Sequence, residues 1–158
     1  MRTTAMIMLI ILAAVFLNFI LGFIGITQAL LGFIEDIGLT PLQTMIIIVC
    51  IYLVLGMFME TLSMLLTTVP IIFPIIVKLG YDPVWFGILI TVLMEAALIT
   101  PPIGVNLYVV QGIRKDGGRF GDVAIGAAPF VLMMIALIAL LIAFPEIALY
   151  LPTLVYRS

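Results

Sequence analysis

The chain has 158 residues, of which 66% are hydrophobic and only 9% are charged, and its formal net charge is -2. These fractions are far from those of a soluble domain, so the composition indicates an integral membrane protein. The absence of histidine and the single cysteine exclude histidine-dependent catalytic triads, multi-cysteine metal sites and an internal disulfide. No basic patch typical of nucleic-acid binding is present, so no nucleic-acid partner is expected.

The first apolar stretch, residues 5–33, is longer than the roughly 20 residues that a membrane helix needs. Glycines in its second half predict that this helix is tilted, or bent near Gly22 to Gly25. A polar loop with Glu35 and Asp36 follows. Thr40-Pro41 then suits the N-cap and first position of a new helix.

Residues 42–78 form a second apolar stretch with a polar cluster at Gly56 to Ser63 in its middle. Two interpretations are open: two thin membrane spans with Glu60 in a turn at the far interface, or a re-entrant helical hairpin whose tip stops inside the protein. Both return the chain to the side it left. A connecting loop normally carries lysine, arginine or a turn dipeptide, and the lack of these residues here favours the hairpin.

Residues 84–113 form a third apolar stretch, which we expect to break inside the bilayer at Thr100-Pro101-Pro102-Ile103-Gly104. Two consecutive prolines remove backbone donors and clash with the preceding turn. Broken backbone at membrane depth is tolerated only within protein or beside a wet cavity, and in transporters such a break forms the binding site. The alternative is a proline kink relieved by neighbouring helices. Trp85 and Phe86 lie at the depth of an aromatic belt.

The loop that carries Arg114, Lys115 and Arg119 gives the orientation, because short basic loops stay in the cytoplasm. The two loops that flank the second apolar stretch then lie outside. Residues 123–144 are predicted to be the last span, and residues 145–158 a short amphipathic tail on the outer face.

Candidate functional residues cluster at the predicted hairpin tip and at the helix break. The carboxylates Glu60 and Glu95 lie in apolar sequence, where ionisable groups mark an ion, proton or substrate path; a protonated or hydrogen-bonded structural carboxyl is the alternative. Free carbonyls at a broken helix, assisted by hydroxyls, suit Na⁺, which we expect at Thr100, Gly104 and the tip. The candidate substrate- and ion-binding residues are Gly56, Glu60, Thr61, Ser63, Glu95, Thr100, Pro101, Pro102, Gly104 and Asn106.

Four elements, in this order and spacing, resemble the C-terminal part of the large permease (DctM-like) subunit of tripartite ATP-independent periplasmic (TRAP) transporters. They are Gly56-Met-Phe-Met-Glu60, the Pro70 and Pro74 pair, Leu79-Gly80-Tyr81-Asp82-Pro83-Val84-Trp85-Phe86-Gly87, and Met94-Glu95 with Ile99 to Gly104. The ending from Phe144 to Pro152 is similar to that family's usual ending. Ala96-Ala97 stands where many relatives have a glycine, which leaves the break slightly less flexible.

The resemblance implies a fold and a function. The fold is an all-α, polytopic integral membrane protein that forms the second inverted repeat of an elevator-type transporter, with residues 42–78 as a re-entrant hairpin and residues 84–113 as a broken transmembrane helix. The function is Na⁺-coupled import of organic anions such as C4-dicarboxylates or sialic acid, not an enzymatic reaction, with no cofactor besides the coupling ion.

The resemblance also implies partners and a location. The partners are a small TRAP membrane subunit and a periplasmic substrate-binding protein, and the location is the bacterial or archaeal cytoplasmic (inner) membrane. A complete large subunit is much longer, so we interpret the 158 residues as one membrane domain, the C-terminal portion of a larger permease. The alternative is a small non-transporting membrane subunit or an inactive truncated remnant that only packs with partners.

Overall fold

The computed structural model describes residues 2–115 and 117–156, and these residues form helices and turns without a strand. The helices are α1 (Arg2–Ile24), α2 (Ile26–Ile37), α3 (Pro41–Gly56), α4 (Thr61–Lys78), α5 (Pro83–Leu98), α6 (Val105–Ile113), α7 (Phe120–Ala143) and α8 (Glu146–Tyr156). The all-α class expected from the sequence is confirmed.

Three helices of the described residues are long and apolar enough to cross a membrane: Thr3–Ile24, Thr61–Lys78 and Phe120–Ala143. Helices α3 and α5 are equally apolar but shorter. The 16 residues of α3 extend about 24 Å, less than the ~30 Å of a hydrocarbon core. This length suits a hairpin arm that ends within the membrane, and the re-entrant path itself stays a prediction.

Local chemistry explains where the helices begin and end. Gly25 separates α1 from α2 with φ 76°, a left-handed conformation that a side chain disfavours, and the bend expected between Gly22 and Gly25 lies there. Thr40 caps α3 through a reciprocal capping box with Gln43, and Pro41 occupies the first turn. The Asp82 carboxylate accepts the first amides of α5.

Two loops that the sequence places on the same side meet in the structure. Lys78 at the end of α4 pairs with Glu35 at the end of α2, with 2.6 Å between Nζ and Oε1. Both side chains are exposed, so the pair contributes little to stability. The pair shows that the end of α2 and the end of α4 lie next to each other. The chain therefore returns, after α3 and α4, to the side from which α3 began.

Helix α5 lies at the centre of the fold and packs against α3, α4, α7 and α8. Eight of its 16 residues are buried, among them Leu89, Leu93 and Met94. Its exposed stripe contains Gly87, Thr91 and Glu95. Because α5 ends at the predicted break, this packing holds the break in place.

Helix α1 is joined to α4 by a hydrogen bond to a backbone carbonyl of α4, which has no helical donor because a proline follows four residues later. Pro70 lies inside α4 and has no N–H for the carbonyl of Leu66, four residues earlier. The Asn18 amide of α1 donates to this carbonyl at 2.6 Å. An unsatisfied carbonyl costs several kcal/mol in lipid, so this hydrogen bond fixes α1 beside α4.

The same solution occurs at the end of α7. Pro145 cannot donate to the carbonyl of Leu141, and the indole N–H of Trp85 donates to it instead at 2.8 Å. Trp85 and Phe86 are only 1% and 2% exposed, so the residues that the sequence placed at an aromatic-belt depth belong to the core. Tyr81 stacks on Trp85 with 5.0 Å between ring centroids, and burial raises the pKa of its phenol.

The Asn18 hydrogen bond gives a test by double-mutant cycle. We expect Asn18→Leu to lower the free energy of unfolding by about 1–2 kcal/mol, since the Leu66 carbonyl loses its donor. Pro70→Ala restores a helical N–H, so Asn18→Leu should cost clearly less in the Pro70→Ala background. Thermal unfolding in detergent, followed by circular dichroism, measures all four proteins. Equal costs of Asn18→Leu in both backgrounds would contradict the assignment.

Candidate functional site

The connection between α3 and α4, Met57 to Glu60, is a tight turn that ends in a helix cap. Glu60 Oε1 accepts from the Leu62 amide at 3.0 Å, and Oε2 accepts from the Ser63 amide at 3.1 Å and from the Ser63 hydroxyl at 3.3 Å. A carboxylate at a helix N-terminus is stabilised by these donors and by the helix dipole. Glu60 and Ser63, two predicted ligands, are therefore hydrogen-bonded to each other, and Glu60 is the N-cap of α4. Thr61 is the first residue of α4 and is partly buried.

The end of α3 contacts α5 at Gly56. A Cβ added to Gly56 would overlap the Cβ of Ala97, and it would lie 3.3 Å from the methyl carbon of Met64. Gly56 and Ala97 are both buried, so the two helices touch almost backbone to backbone. This contact joins the predicted hairpin tip to the last turn of the helix before the break.

The break lies between Leu98, where α5 ends, and Val105, where α6 begins. Thr100 closes the end of α5: its amide donates to the Ala97 carbonyl at 3.1 Å, and its hydroxyl donates to the Ala96 carbonyl at 2.6 Å. Pro102 removes the donor that the Leu98 carbonyl would have in a continuous helix. The end of α5 therefore presents backbone carbonyls, and both prolines of the break are exposed.

Gly104 starts α6 and is the residue in the break that only glycine suits. Its φ is 44°, and a Cβ there would lie 3.0 Å from the Thr100 carbonyl oxygen. The Leu107 amide donates to the Gly104 carbonyl at 2.8 Å, but no side chain caps the helix. No side chain therefore caps the first amides of α6, and amides at a helix N-terminus can bind an anionic group.

Two predicted ligands lie away from the contact between tip and break. Glu95 is exposed on α5, whereas the next two residues, Ala96 and Ala97, are fully buried. Asn106 is exposed and lines a groove of about 590 Å³ between α6 and α7, together with Val110 and Arg114. Any role of Glu95 or Asn106 in binding therefore depends on groups that approach these surfaces from outside the described chain.

Sequence reasoning missed the interior support of the tip. The hydroxyls of Tyr52 and Thr68 lie 2.7 Å apart and tie α3 to α4, and Thr68 also donates to the Met64 carbonyl. Tyr52 is 1% exposed. A lone tyrosine in an apolar helix that precedes a threonine-containing helix was the available signal, since a buried phenol requires a partner.

Comparison with known proteins gives a family match over most of the chain. Residues 1–147 match the family model described as the DctM component of tripartite ATP-independent periplasmic transporters. A C4-dicarboxylate TRAP transporter large permease protein of Rhodobacter capsulatus is 41% identical over 151 residues, which cover 96% of this chain and 34% of the relative. The corresponding protein of Vibrio cholerae is 36% identical, over 97% of this chain and 33% of the relative.

The similarity extends to a relative named for a different substrate. A sialic acid TRAP transporter large permease protein of Vibrio cholerae is 31% identical over 97% of this chain and 35% of its own length. The chain thus spans about a third of the length of these relatives.

The contact between Gly56 and Ala97 can be tested by exchanging the two side chains. We expect Gly56→Ala to lower the free energy of unfolding by about 1–3 kcal/mol, because the new Cβ has no room. Ala97→Gly removes the opposing Cβ and costs about 1 kcal/mol by helix propensity.

The double variant Gly56→Ala/Ala97→Gly should then be more stable than Gly56→Ala alone. Thermal unfolding of the four proteins in detergent measures this coupling. Additive losses would mean that the two residues do not pack against each other.

Proposed function

The chain belongs to the DctM family of tripartite ATP-independent periplasmic transporters, and from this membership we propose that it supplies half of the substrate- and sodium-binding region of a permease. The permease would import an organic anion together with Na⁺. The single observation that carries this proposal is the contact of Gly56 with Ala97, in which the end of α3 beside the predicted hairpin tip touches the last turn of α5 before the break. Two interrupted backbones at one place provide carbonyl and amide groups that a ligand requires.

Na⁺ would bind at the end of α5. Backbone carbonyls and hydroxyl oxygens are suitable ligands for a hard cation. The Thr100 hydroxyl donates a hydrogen bond to the Ala96 carbonyl, so the lone pairs of its oxygen would be left to bind a cation. The Leu98 carbonyl, which Pro102 deprives of its donor, lies in the same turn. Gly104 permits the close approach of backbone that such a site needs.

The substrate anion would bind at the start of α6. Helix N-termini attract carboxylates through free amides and the helix dipole. The N-terminus of α4 is already occupied by the Glu60 carboxylate, whereas that of α6 has no side-chain cap. Asn106 and Glu95 stay candidate ligands that would act together with the remaining part of the permease, and Thr61, Ser63 and Pro101 would line the site.

The names of the relatives and of the family support a proposal for the substrate class and the partners. The relatives compared above are named for C4-dicarboxylate and sialic acid, both carboxylates. We therefore propose a carboxylate substrate, delivered by a periplasmic binding protein to a complex with a small membrane subunit in the cytoplasmic membrane. The basic α6–α7 loop would face the cytoplasm. The family is a transporter family, so no catalytic reaction is assigned.

The second candidate is a remnant that assembles but does not transport. The chain spans about a third of each relative, and half of a binding region cannot alternate access alone. The experiment therefore uses the polypeptide that carries this sequence in its own host, reconstituted in liposomes with its partner proteins. Uptake of a labelled C4-dicarboxylate or sialic acid is measured with and without an inward Na⁺ gradient.

We expect Thr100→Val to raise the Na⁺ concentration for half-maximal uptake by about tenfold or more, because a hydroxyl ligand to a charge is lost. Thr91→Val is the matched control, since Thr91 also lies on α5 and its hydroxyl donates to the Gly87 carbonyl at 2.8 Å in the same way. It should leave the Na⁺ dependence unchanged.

Three outcomes would count against the assignment. Equal effects of the two variants would remove Thr100 from the sodium site. Uptake that ignores the Na⁺ gradient would reject sodium coupling. A complex that assembles but accumulates no carboxylate would support the remnant.

A further inference from the structure

A hydrogen bond between two hydroxyl groups, those of Tyr52 and Thr68, links α3 to α4. The two oxygens are 2.7 Å apart, and the Thr68 oxygen is also 2.7 Å from the Met64 carbonyl oxygen. A carbonyl can only accept, so the single hydroxyl proton of Thr68 is used in the bond to Met64. The Tyr52 phenol is therefore the donor of the bond between the two helices.

This bond lies one helical turn behind the connection between α3 and α4. Tyr52 precedes Gly56 by four residues, and Thr68 follows Met64 by four residues, so on each helix the two residues share a face and lie about 6 Å apart along the axis. Met64 also lies beside Gly56, since a Cβ added to Gly56 would be 3.3 Å from the Met64 methyl carbon. The bond and the Gly56 contact are thus neighbouring layers of one interface.

Little else holds α3 against α4. Helix α3 packs much more extensively against α5 than against α4. Among the residues that the structure describes, no other hydrogen bond joins α3 to α4. Tyr52 is 1% exposed, so no bulk water can replace the Thr68 hydroxyl as its partner. The separation of the two helices near their connection therefore depends on this bond.

The same interface continues to the end of α5. Gly56 touches Ala97 in the last turn of that helix, and the Ala97 carbonyl accepts from the Thr100 amide at 3.1 Å. A displacement of Gly56 would therefore move the residue that holds Thr100, whose hydroxyl oxygen is a proposed sodium ligand.

We propose that Tyr52 is a positioning residue of the sodium site. It does not touch the ion; its bond to Thr68 keeps Gly56 against Ala97 and thereby keeps the end of α5 in the geometry that binds Na⁺. This role rests on the proposed function, because it requires that the ion binds at the end of α5. A bond that only stabilised the fold would change unfolding and leave the affinity for Na⁺ unchanged.

The first measurement is amide hydrogen exchange of the complete polypeptide in nanodiscs, read by mass spectrometry. Tyr52→Phe removes the phenol hydroxyl and keeps the ring. We expect residues 57–60 to exchange about fivefold faster, the effect of one lost hydrogen bond. Residues 79–82, at the far end of α4, should keep the wild-type rate. Tyr150→Phe, at an exposed tyrosine of α8, is the control and should change neither segment.

The second measurement is the Na⁺ dependence of uptake in the reconstituted complex. Tyr52→Phe and Thr68→Val should each raise the Na⁺ concentration for half-maximal uptake by about fivefold, and leave the maximal rate at saturating Na⁺ unchanged. Thr68→Ser keeps the hydroxyl and should behave as the wild type. Thr67→Val is the matched control, because Thr67 lines a groove beside α1 instead, and should leave the Na⁺ dependence unchanged.

A double variant separates positioning from stability. Thr68→Val alone leaves the buried phenol without a partner, whereas Tyr52→Phe/Thr68→Val removes both partners and leaves neither hydroxyl unpaired. The double variant should therefore unfold at a higher temperature than Thr68→Val, yet keep the raised Na⁺ requirement. A Na⁺ requirement that returned to the wild-type value together with stability would overturn the positioning role.

Two further outcomes of the exchange measurement would overturn the proposal: an unchanged rate at residues 57–60 in Tyr52→Phe, or an equal acceleration at residues 57–60 and 79–82. Uptake whose Na⁺ dependence responds to Thr100→Val but not to Tyr52→Phe would also overturn it, and would leave the proposed function intact. Faster exchange at residues 57–60 in a complex that takes up no carboxylate would instead reject the proposed function, and with it the sodium role of Tyr52.

Discussion

The structure depends on one constraint: inside a membrane, a carbonyl that loses its helical donor must find another partner. Pro70 and Pro145 each create such a carbonyl, and Asn18 and Trp85 satisfy them. Pro102 likewise removes the helical donor of the Leu98 carbonyl, and within residues 2–115 and 117–156 no side chain donates to that carbonyl. Two of the prolines in these helices thus join neighbouring helices through a side chain, whereas Pro102 leaves a backbone carbonyl at the end of α5.

The contact between the predicted hairpin tip and the last turn of α5 lies beside the Leu98 carbonyl, which is why our proposal assigns these groups to one site. Gly56 has no side chain, so α3 can reach Ala97 at the last turn of α5. The hydrogen bond between Tyr52 and Thr68 keeps α3 and α4 together behind this contact. A movement of α3 and α4 would therefore displace the end of α5, where we propose that the cation binds. Glu60, in contrast, is explained as a helix cap without any ligand.

The sequence predicted the features that local chemistry controls. Consecutive prolines and Gly104 located the break, and Gly25 located the bend, because φ restrictions and missing donors act within a few residues. The sequence could not predict that the Trp85 indole donates to the Leu141 carbonyl, or that Glu95 lies on the exposed face of α5. Both depend on how α5 is rotated against α3, α4 and α7, and nearly every residue of these helices is apolar, so the usual contrast between polar and apolar faces is weak. Ala97 was noted only as a replacement for glycine, and its contact with Gly56 emerged from the packing.

The exposed stripe of α5 is a polar surface that the described residues leave uncovered. Ionisable groups at membrane depth face protein or water rather than lipid. Glu95 lies on this stripe with Thr91 and Gly87, and no residue of the described chain covers it. The opposite side of α5 is fully packed. We therefore expect the remaining part of the permease, or water between the two parts, to lie against this stripe, because a charged helix face turned to lipid would offset much of the stability that the buried face provides.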